Sequence, residues 1–586
     1  MQNKSENFNS DIHTVDYESE YERRTVTSDM LIRTTSREEE SLNGMWHFHE
    51  DWYQTNLRAH WYKAPLTSED GRDLPVDFDF LSWPVMRVPS CWNTEREELK
   101  YFEGSGLYAR TFAYKEKEQG ERVFLHFEGA AYRTTVFLNQ KFVGLHDGGS
   151  TPFTIDVTPY LKEENMLLVD VDGRRKAERV PSENTDWFAY GGLYRSVSLI
   201  RTPKTFIKDW FVRLKDGKVK LDATLNDDSD GKGIFSIKET NYAAEVTFKD
   251  GKCSMTFQTE VPLWSPDDPA LTTVSLSYGN DNVTERIGWR ECKAVGNDIC
   301  LNSRKVFLKG TCVHEDHPVL GKCTTDEMIR DTIRTAKELH CNYIRLAHYP
   351  HSRRFSEIAD EMGIMLWEEV PVYWAIAFEN PKTYADAENQ LSELIKRDRN
   401  RASVIIWSVG NENADTDARF VFMRNLAKKA HELDDSRMVS AACLVNPKRM
   451  MIQDRLADEL DVIGLNEYCG WYDPEYDHLR QILENSNPKK PVIIAEFGAG
   501  ARQGYIGKEG ELFSEENQKS LYEKQFAIQK KCRFIAGISP WILYDFRCPR
   551  RFNRWQEGYN RKGVIDANHL TRKLAFEVLK KHYEEN

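Results

Sequence analysis

Two glutamates each follow a short run of apolar residues that predicts a buried strand. Glu412 ends the segment 403–412, and Glu496 ends the segment 491–496. An acid is poorly placed at the end of a core element, but the carboxyl ends of the strands carry the chemistry of a (β/α)8 barrel. Glycoside hydrolysis uses two such carboxyl groups, a general acid and a charged partner, on either side of one bond. One strand-end glutamate alone is most often a surface acid, but the second copy and the neighbouring Asn411 favour a catalytic pair.

The composition is that of a globular protein with several domains. The chain has 586 residues, of which 40% are hydrophobic and 30% are charged, and a single core rarely grows past about 250–300 residues. The formal net charge of −13 argues against nucleic acid or an anionic membrane as the partner. No run approaches the ~18 apolar residues of a spanning helix, and the first residues lack the apolar core of a secretory signal. We therefore expect neither a membrane nor a nucleic-acid partner.

The 11 cysteines are scattered singly, without a CxxC pair. This pattern indicates reduced thiols and hence a cytoplasmic protein. The sequence also lacks a His/Cys cluster with metal-ligand spacing, and it lacks the HExxH, P-loop and GxGxxG motifs. We therefore expect no catalytic metal and no cofactor that catalysis requires.

Patterning divides the chain into a leader and three domains. Residues 1–28 are polar and acidic and predict a loosely held leader. Short alternating apolar and polar runs with Gly and Asn turns over 29–203 predict a β-sandwich. Residues 204–292 repeat this style in a span typical of an immunoglobulin-like sandwich. Over 293–586 the pattern changes to alternating strands and amphipathic helices.

The last domain carries eight candidate strands, with helical patterns between them. The strands begin at residues 306, 342, 364, 404, 438, 462, 492 and 535. In the segment 325–339, for example, apolar residues recur at helical spacing and Thr325 fits an N-cap. Eight β-then-α units in about 290 residues point to a TIM barrel. The alternative, an open doubly wound sheet, lacks an obvious phosphate-binding first turn.

A barrel would bring the residues at the ends of these strands together. Besides the two glutamates, the strand ends carry His314, Arg345, His348, Asn411, Asn466, Tyr468, Tyr472 and Trp541. A retaining glycosidase places its two carboxyl groups about 5–5.5 Å apart, with one protonated near neutral pH and the other ionised. The hydroxyl of Tyr468 is our candidate to hold the charge and orientation of the ionised carboxylate.

Four segments resemble motifs of glycoside hydrolase family 2. They are the acid/base signature, the N-terminal jelly roll and two other barrel motifs, at 399–412, 127–139, 314–318 and 345–350. The resemblance covers most of the chain and implies a jelly-roll sugar-binding domain, an immunoglobulin-like sandwich and a TIM barrel. It also implies a retaining double displacement with Glu412 as acid/base and Glu496 as nucleophile.

Two further segments resemble the β-glucuronidases of that family. Residues 466–472 resemble their strand 6 motif, where a second tyrosine is more usual than Cys469. Asn560 and Lys562 match the Asn-x-Lys pair that holds the C6 carboxylate of glucuronic acid in those enzymes. The charges agree independently, because a chain of net charge −13 needs a local cation to bind an anionic sugar. The stretch 547–562 is strongly basic, as electrostatic focusing of an anion requires.

The resemblance and the strand ends together give the substrate-binding candidates. They are Asp186, His348, Asn411, Asn466, Tyr468, Tyr472, Trp541, Asn560 and Lys562. By resemblance, Asp186 is the jelly-roll aspartate that reaches the sugar hydroxyls, and Trp541 is the floor of the site. Asn466 and Tyr472 match contacts on the carboxylate side, and His348 matches a pocket contact.

The chain departs from the family pattern in two places. Val313 stands where arginine usually precedes His314, so the hydrogen bonding there is expected to differ. Residues 371–390 lead quickly into the next helix, where members active on small drug-like glucuronides often carry a long insertion. We therefore expect a more open site. Some relatives with a short loop hold a flavin mononucleotide on the surface, and the resemblance leaves that open.

The sequence thus predicts a cytoplasmic, retaining β-D-glucuronidase that hydrolyses terminal β-glucuronides without a metal. Its substrates would be small conjugates or glucuronic-acid-terminated glycans, and enzymes of this kind commonly form homodimers or tetramers. The alternatives on the same scaffold are a β-galacturonidase and a β-galactosidase. A non-catalytic carbohydrate-binding protein is disfavoured because both strand-end acids are present. A nucleic-acid binder that uses the basic stretch 547–562 is disfavoured by the overall charge.

Overall fold

The computed structural model of the chain describes residues 21–32, 36–64 and 79–585. Its N-terminal part is a sandwich of two antiparallel sheets. The strands of the larger sheet, in spatial order, are Val85–Val88, Gly44–Asp51, Ser105–Ala113, Glu164–Asp172, Arg133–Leu138 and Lys141–Asp147. Those of the smaller sheet are Glu39–Ser41, Val197–Thr202, Arg122–Phe127 and Phe153–Asp156. Apolar side chains of both sheets, among them Trp46 and Leu125, form one core between them.

Part of the predicted leader is packed against this sandwich. Tyr21 is only 1% exposed, and its hydroxyl donates a hydrogen bond to the Leu57 carbonyl over 3.1 Å. The Val26 amide donates to the Leu145 carbonyl over 2.7 Å. The prediction of a loosely held leader is therefore wrong for residues 21–28, because two apolar side chains anchor a polar segment. Residues 1–20 lie outside the described part of the chain.

A second sandwich follows. One sheet contains Ile207–Lys215, Lys218–Leu225 and Lys252–Phe257, and the other contains Tyr242–Phe248, Gly231–Ile237, Thr272–Tyr278 and Asp281–Ile287. In Lys218–Leu225 every second side chain is buried, as expected when one face of a strand meets the core and the other meets water. The buried side chains of both sheets form one cluster.

A closed barrel of eight parallel strands forms the rest of the chain. Its strands β1 to β8 are Leu308–Val313, Tyr343–Leu346, Met365–Glu369, Val404–Asn411, Met438–Cys443, Val462–Asn466, Val492–Glu496 and Ile535–Ile538. Seven α-helices in this region, α1 to α7, are Asp326–Glu338, Arg353–Met362, Pro381–Asp398, Asp417–Leu433, Tyr476–Asn485, Glu515–Gln529 and Leu574–Glu585. The Thr325 side chain accepts from the Met328 amide as the N-cap of α1, as predicted. The connection from β5 to β6 carries a 3-10 helix, Arg455–Glu459, in place of an α-helix.

Smaller elements close the ends of the barrel. The sheet Cys292–Val295, Asp298–Leu301 and Arg304–Val306 packs its buried side chains on the first residues of several barrel strands. Two hairpins, Val445–Asn446 with Met451–Ile452 and Phe546–Arg547 with Tyr559–Asn560, follow β5 and β8.

The remaining short helices are Thr55–Arg58, Trp61–Lys63, Phe80–Ser82, Trp92–Glu95, Glu97–Leu99, Thr158–Tyr160, Lys238–Thr240 and Pro549–Arg551.

The predicted fold class is therefore confirmed: an N-terminal β-sandwich, an immunoglobulin-like sandwich and a (β/α)8 barrel. The domain boundaries after residues 203 and 292 stay predictions. Within the described ranges, no helix combines the length and the apolar character that crossing a membrane demands.

Candidate active site

The carboxyl ends of the barrel strands bring the two predicted glutamates and their neighbours to one end of the barrel. Glu412 directly follows β4, Glu496 is the last residue of β7, and Asn466 is the last residue of β6. The Tyr468 hydroxyl donates to Glu496 Oε2 over 2.8 Å. Asn466 Nδ2 donates to Asn411 Oδ1 over 3.1 Å. Residues from distant parts of the chain thus form one connected polar site.

Glu496 is held by a cation and a hydroxyl. Arg345 Nη1 donates to Glu496 Oε1 over 2.7 Å, opposite the Tyr468 contact on Oε2. Arg345 is fully buried, and its guanidinium also donates to Glu369 and to Asn411. A positive charge and two hydrogen bonds fix the orientation of a carboxylate and stabilise its charge. The Glu496 carboxyl group is therefore held in one orientation, with both oxygens in hydrogen bonds.

Glu412 lies in a different environment. Its Oε2 accepts a hydrogen bond from the indole Nε1 of Trp374 over 2.7 Å. Burial and then the nearby charge of Glu496 raise the pKa of Glu412, although hydrogen bonds from Trp374 and Asn466 act against this rise. Its backbone φ of +53° is uncommon for a residue with a side chain, and such positions cluster at functional sites. A carboxyl group whose proton is retained in this way is suited to act as a general acid.

Two amides beside the glutamates present polar atoms that lack a partner. Asn411 Nδ2 and Asn466 Oδ1 are buried and have no hydrogen-bond partner within the described part of the chain. An unpaired buried polar atom is costly. A donor and an acceptor that remain unpaired beside two carboxyl groups are suited to bind sugar hydroxyls.

An aromatic wall borders the same site. The rings of Trp541 and His348 are stacked with centroids 4.8 Å apart, and Trp187 lies 5.8 Å from His348. His348 Nδ1 and Glu369 Oε1 are 2.7 Å apart, which fixes the imidazole. His314 packs edge-on against Trp541 at 5.3 Å, and its Nδ1 lies 3.1 Å from the Tyr349 hydroxyl.

Lys562 provides a buried cation near these rings. Its ammonium group donates to the Tyr472 hydroxyl over 2.7 Å and lies 5.4 Å from the centre of the Tyr468 ring. Among the described residues, no carboxylate lies within 4.0 Å of it. Burial lowers the pKa of Lys562. The charge of Asp186 acts on Lys562 from a distance but forms no ion pair with it, so the buried ammonium is suited to an anionic ligand.

Asp186 joins the jelly roll to this side of the barrel. Arg551 donates to both of its oxygens, with Nη2 2.5 Å from Oδ2, and Asn560 Nδ2 donates to Oδ2 over 3.1 Å. Asn560 Oδ1 in turn accepts from the Lys562 amide over 3.2 Å. Asp186, Asn560 and Lys562 thus belong to one hydrogen-bonded group.

Sequence reasoning missed three residues at the site: Trp374, Glu369 and Arg551. Glu369 is the last residue of β3, so the strand-end rule that selected the two catalytic candidates could also have selected it. Burial alone would raise the pKa of Glu369, but the charge of Arg345 and hydrogen bonds to His348 and Trp367 lower it to about 2. Its role here is to hold Arg345 and His348. Trp374 lies in the loop after β3 and Arg551 ends the short helix Pro549–Arg551, and neither gave a periodic signal.

The basic stretch 547–562 is less positive than its sequence suggests. Arg547 pairs with Asp316 at 2.8 Å and Arg551 pairs with Asp186 at 2.5 Å. The positive charge predicted for this stretch is therefore limited to Lys562 and the exposed arginines of the stretch.

No group of His, Cys, Asp and Glu in the described part of the chain could hold a metal ion.

Comparisons with known proteins agree with this geometry. The sugar binding domain model of glycosyl hydrolases family 2 matches residues 39–203, and the TIM barrel domain model of that family matches residues 293–585. A β-glucuronidase of Paenibacillus borealis is 29% identical over 91% of this chain and 94% of its own length.

Solved structures are similar over nearly the whole chain. A β-glucuronidase of an uncultured Clostridium sp. has a TM-score of 0.82 and 26% identity, covering 94% of this chain and 98% of the other. A β-galacturonidase of Eisenbergiella tayi, bound to galacturonate, has a TM-score of 0.80 and 26% identity over the same shares. The barrel, the sandwich in front of it and the matching family models establish that the chain belongs to glycosyl hydrolases family 2.

Proposed function

We propose that the chain is a retaining β-D-glucuronidase that hydrolyses terminal β-glucuronides by double displacement. Glu496 acts as the nucleophile and Glu412 as the acid/base. The observation that carries the proposal is the combination of two differently held carboxyl groups with the buried ammonium of Lys562, which has no carboxylate in direct contact among the described residues, in the same site. The first supports glycoside hydrolysis, and the second supports a sugar with a carboxylate.

The first step forms a glycosyl-enzyme. Glu496 Oε attacks the anomeric carbon as the bond from that carbon to the leaving oxygen breaks, and Glu412 gives its proton to that oxygen. Arg345 and Tyr468 hold Glu496 in position for attack. The raised pKa of Glu412 favours retention of the proton that it donates.

The second step uses the loss of charge on Glu496. Once Glu496 is esterified, one of the causes that raise the pKa of Glu412 is gone, so this pKa falls. Glu412 then accepts a proton from the water that attacks the anomeric carbon, and the bond to Glu496 breaks. Two inversions at one carbon release β-glucuronate with its configuration retained.

Sugar recognition follows from the same groups. Lys562 is placed to bind the C6 carboxylate as a charge-assisted partner, with Asn560 and Tyr472 beside it. The unpaired amide atoms of Asn411 and Asn466 are placed for ring hydroxyls. Trp541 supplies the floor, with Asp186 and His348 at the walls. Catalysis in this scheme needs no metal and no cofactor, and none of the site residues argues for a surface flavin.

The alternatives differ in how they would use Lys562. A β-galacturonidase, like the Eisenbergiella tayi neighbour, also needs a cation for its carboxylate, so only the C4 hydroxyl distinguishes it. A β-galactosidase has no carboxylate to place there. The names of the Paenibacillus and Clostridium relatives support the glucuronide.

We further propose that the protein acts in the cytoplasm as a homodimer or homotetramer, on small conjugates or on glucuronic-acid-terminated glycans. All 11 cysteines are free, which supports a reducing compartment.

The release of p-nitrophenol from its β-glucuronide, β-galacturonide and β-galactoside, compared side by side, tests the assignment. The glucuronide should have the highest kcat/KM, and Glu496→Gln should abolish its turnover while the melting temperature is retained. A galactoside that is turned over as fast as the glucuronide would contradict the carboxylate assignment. Turnover of none of the three would leave a non-catalytic carbohydrate-binding protein as the better account.

A further inference from the structure

A tryptophan and an arginine extend from the acid/base residue toward solvent. Trp374 Nε1 donates to Glu412 Oε2 over 2.7 Å, and the Arg550 guanidinium carbon lies 5.0 Å from the centre of the Trp374 ring. In the proposed reaction Glu412 protonates the leaving oxygen. The residues that contact its carboxyl group from outside therefore border the leaving group.

The charge of Arg550 is poorly compensated. Its side chain is 47% exposed, and Nη1 donates to the side-chain oxygen of Asn184 over 3.0 Å. Within the part of the chain that the structure describes, the only carboxylate within 4.0 Å is that of Asp186, at 3.9 Å. Asp186 already accepts hydrogen bonds from Arg551, so little of its charge remains for Arg550.

Lys562 and Arg550 contact different aromatic rings of the site, although both lie near Asp186. Lys562 contacts the rings of Tyr472 and Tyr468, and Tyr468 binds Glu496. Arg550 contacts Trp374, which binds Glu412. If Lys562 takes the carboxylate of the glucuronyl unit, Arg550 remains for the group that leaves. An exposed cation at the mouth of a site attracts an anion, and it does so here locally, against the net negative charge of the chain.

The leaving-group side carries only a short loop. Only residues 370–380 separate β3 from α3, so this connection is too short to form a long cover. A sugar that carries an acidic group would meet a cation and solvent.

We propose that Arg550 forms a leaving-group subsite that selects glucuronides whose leaving group is an acidic sugar, one that carries a sulfate or carboxylate. This proposal rests on the proposed glucuronidase function. The substrate would then be the glucuronyl end of an acidic glycan. Arg550 is a specificity-determining residue, which takes no part in the bond changes.

The first test uses two aryl glucuronides of matched shape, 4-carboxyphenyl β-glucuronide and its neutral 4-carboxamide. The ratio of their kcat/KM values is measured in the wild type, in Arg550→Gln and in Arg554→Gln. Arg554 is the matched control, because it lies in the same loop with its guanidinium 4.6 Å from the Trp555 ring. The two leaving groups differ in intrinsic reactivity by the same factor in every protein. This factor cancels when the ratios of kcat/KM are compared between the proteins.

Arg550→Gln should lower the carboxylate-to-amide ratio about fivefold, the size of an exposed ion pair, and Arg554→Gln should leave the ratio unchanged. Added salt should lower the ratio in the wild type and not in Arg550→Gln. An equal loss on both substrates in Arg550→Gln would overturn the proposal, since Arg550 would then act only by fixing its loop.

The second test replaces the aryl group with a sugar. The substrates are β-glucuronyl-N-acetylgalactosamine 6-sulfate and the same disaccharide without sulfate. The wild type should prefer the sulfated form, and Arg550→Gln should lose that preference. If Arg550 discriminates between the aryl pair and not the disaccharides, the glycan assignment is overturned. If no glucuronide of any kind is turned over by the wild type, the proposed function itself fails, which is a separate result from turnover without charge selection.

Discussion

Lys562→Met is the substitution that most sharply separates recognition of the carboxylate from general damage to the site. The lysine is 98% buried (2% exposed), and its ammonium group contacts the Tyr472 hydroxyl at 2.7 Å. Methionine keeps an unbranched stem against the Tyr472 and Tyr468 rings and removes only the charge. The change therefore tests the ammonium group and leaves most of the packing in place.

The magnitude follows from the burial of the charge. Two unit charges about 4 Å apart interact by about 4 kcal/mol at an effective dielectric constant near 20, and removing one partner of a buried pair costs about 2–5 kcal/mol. A loss of about 3 kcal/mol in transition-state binding corresponds to a fall of about 150-fold in kcat/KM. The fall should be confined to substrates that carry the carboxylate.

The assay compares p-nitrophenyl β-glucuronide with p-nitrophenyl β-glucoside, which has the same ring configuration and no charge at C6. Lys562→Met should lose about 150-fold on the glucuronide and little on the glucoside, with a melting temperature close to that of the wild type. An equal loss on both substrates would refute the reasoning, because Lys562 would then support the site without recognising the carboxylate.

Two further predictions concern proton binding. Trp374→Phe removes a hydrogen bond that holds the pKa of Glu412 down, so the alkaline limb of the kcat/KM profile should move to higher pH; a fall in rate at an unchanged limb would contradict this role. Burial would lower the pKa of His146, but the charge of Glu393, 2.9 Å away, outweighs it and raises this pKa above 6.5. The stability from that pair is complete below pH about 6.5 and is lost as the pH rises through the folded-state pKa. His146→Gln should therefore lower the melting temperature more at pH 6 than at pH 9. The same substitution at His126 is the control, because burial lowers the pKa of His126 to about 4. The change in melting temperature should therefore depend on pH in the opposite direction.

Much of the barrel and of its candidate catalytic pair could be predicted from local sequence. Each barrel strand is a short apolar run between helical patterns, and the rule that strand ends carry the chemistry placed Glu412 and Glu496 correctly in the fold. The same rule cannot tell a catalytic carboxylate from one that a buried arginine neutralises. Glu369 has the same sequence context and serves to hold Arg345.

Contacts between distant segments could not be predicted in this way. The ion pair of Asp186 and Arg551 spans 365 positions and joins the jelly roll to the barrel, and nothing in either segment alone indicates it. The same contact reduces the positive charge that the sequence of the basic stretch suggests. In residues 21–28 the polar average concealed the anchoring side chains of Tyr21 and Val26, so averaged composition misjudged a segment that two apolar residues hold in place.

Covalent trapping tests the central claim most directly. A 2-deoxy-2-fluoro-β-glucuronyl fluoride should react with the enzyme, because the fluoride leaves readily and the fluorine at C2 slows hydrolysis of the glycosyl-enzyme. Peptide mapping by mass spectrometry should find one fluoroglucuronyl group, on the peptide that contains Glu496, and none on the Glu496→Gln variant. The matching galactosyl fluoride should label the enzyme far more slowly. An adduct on another residue, or active turnover of a glucuronide without any trapped adduct, would contradict the account.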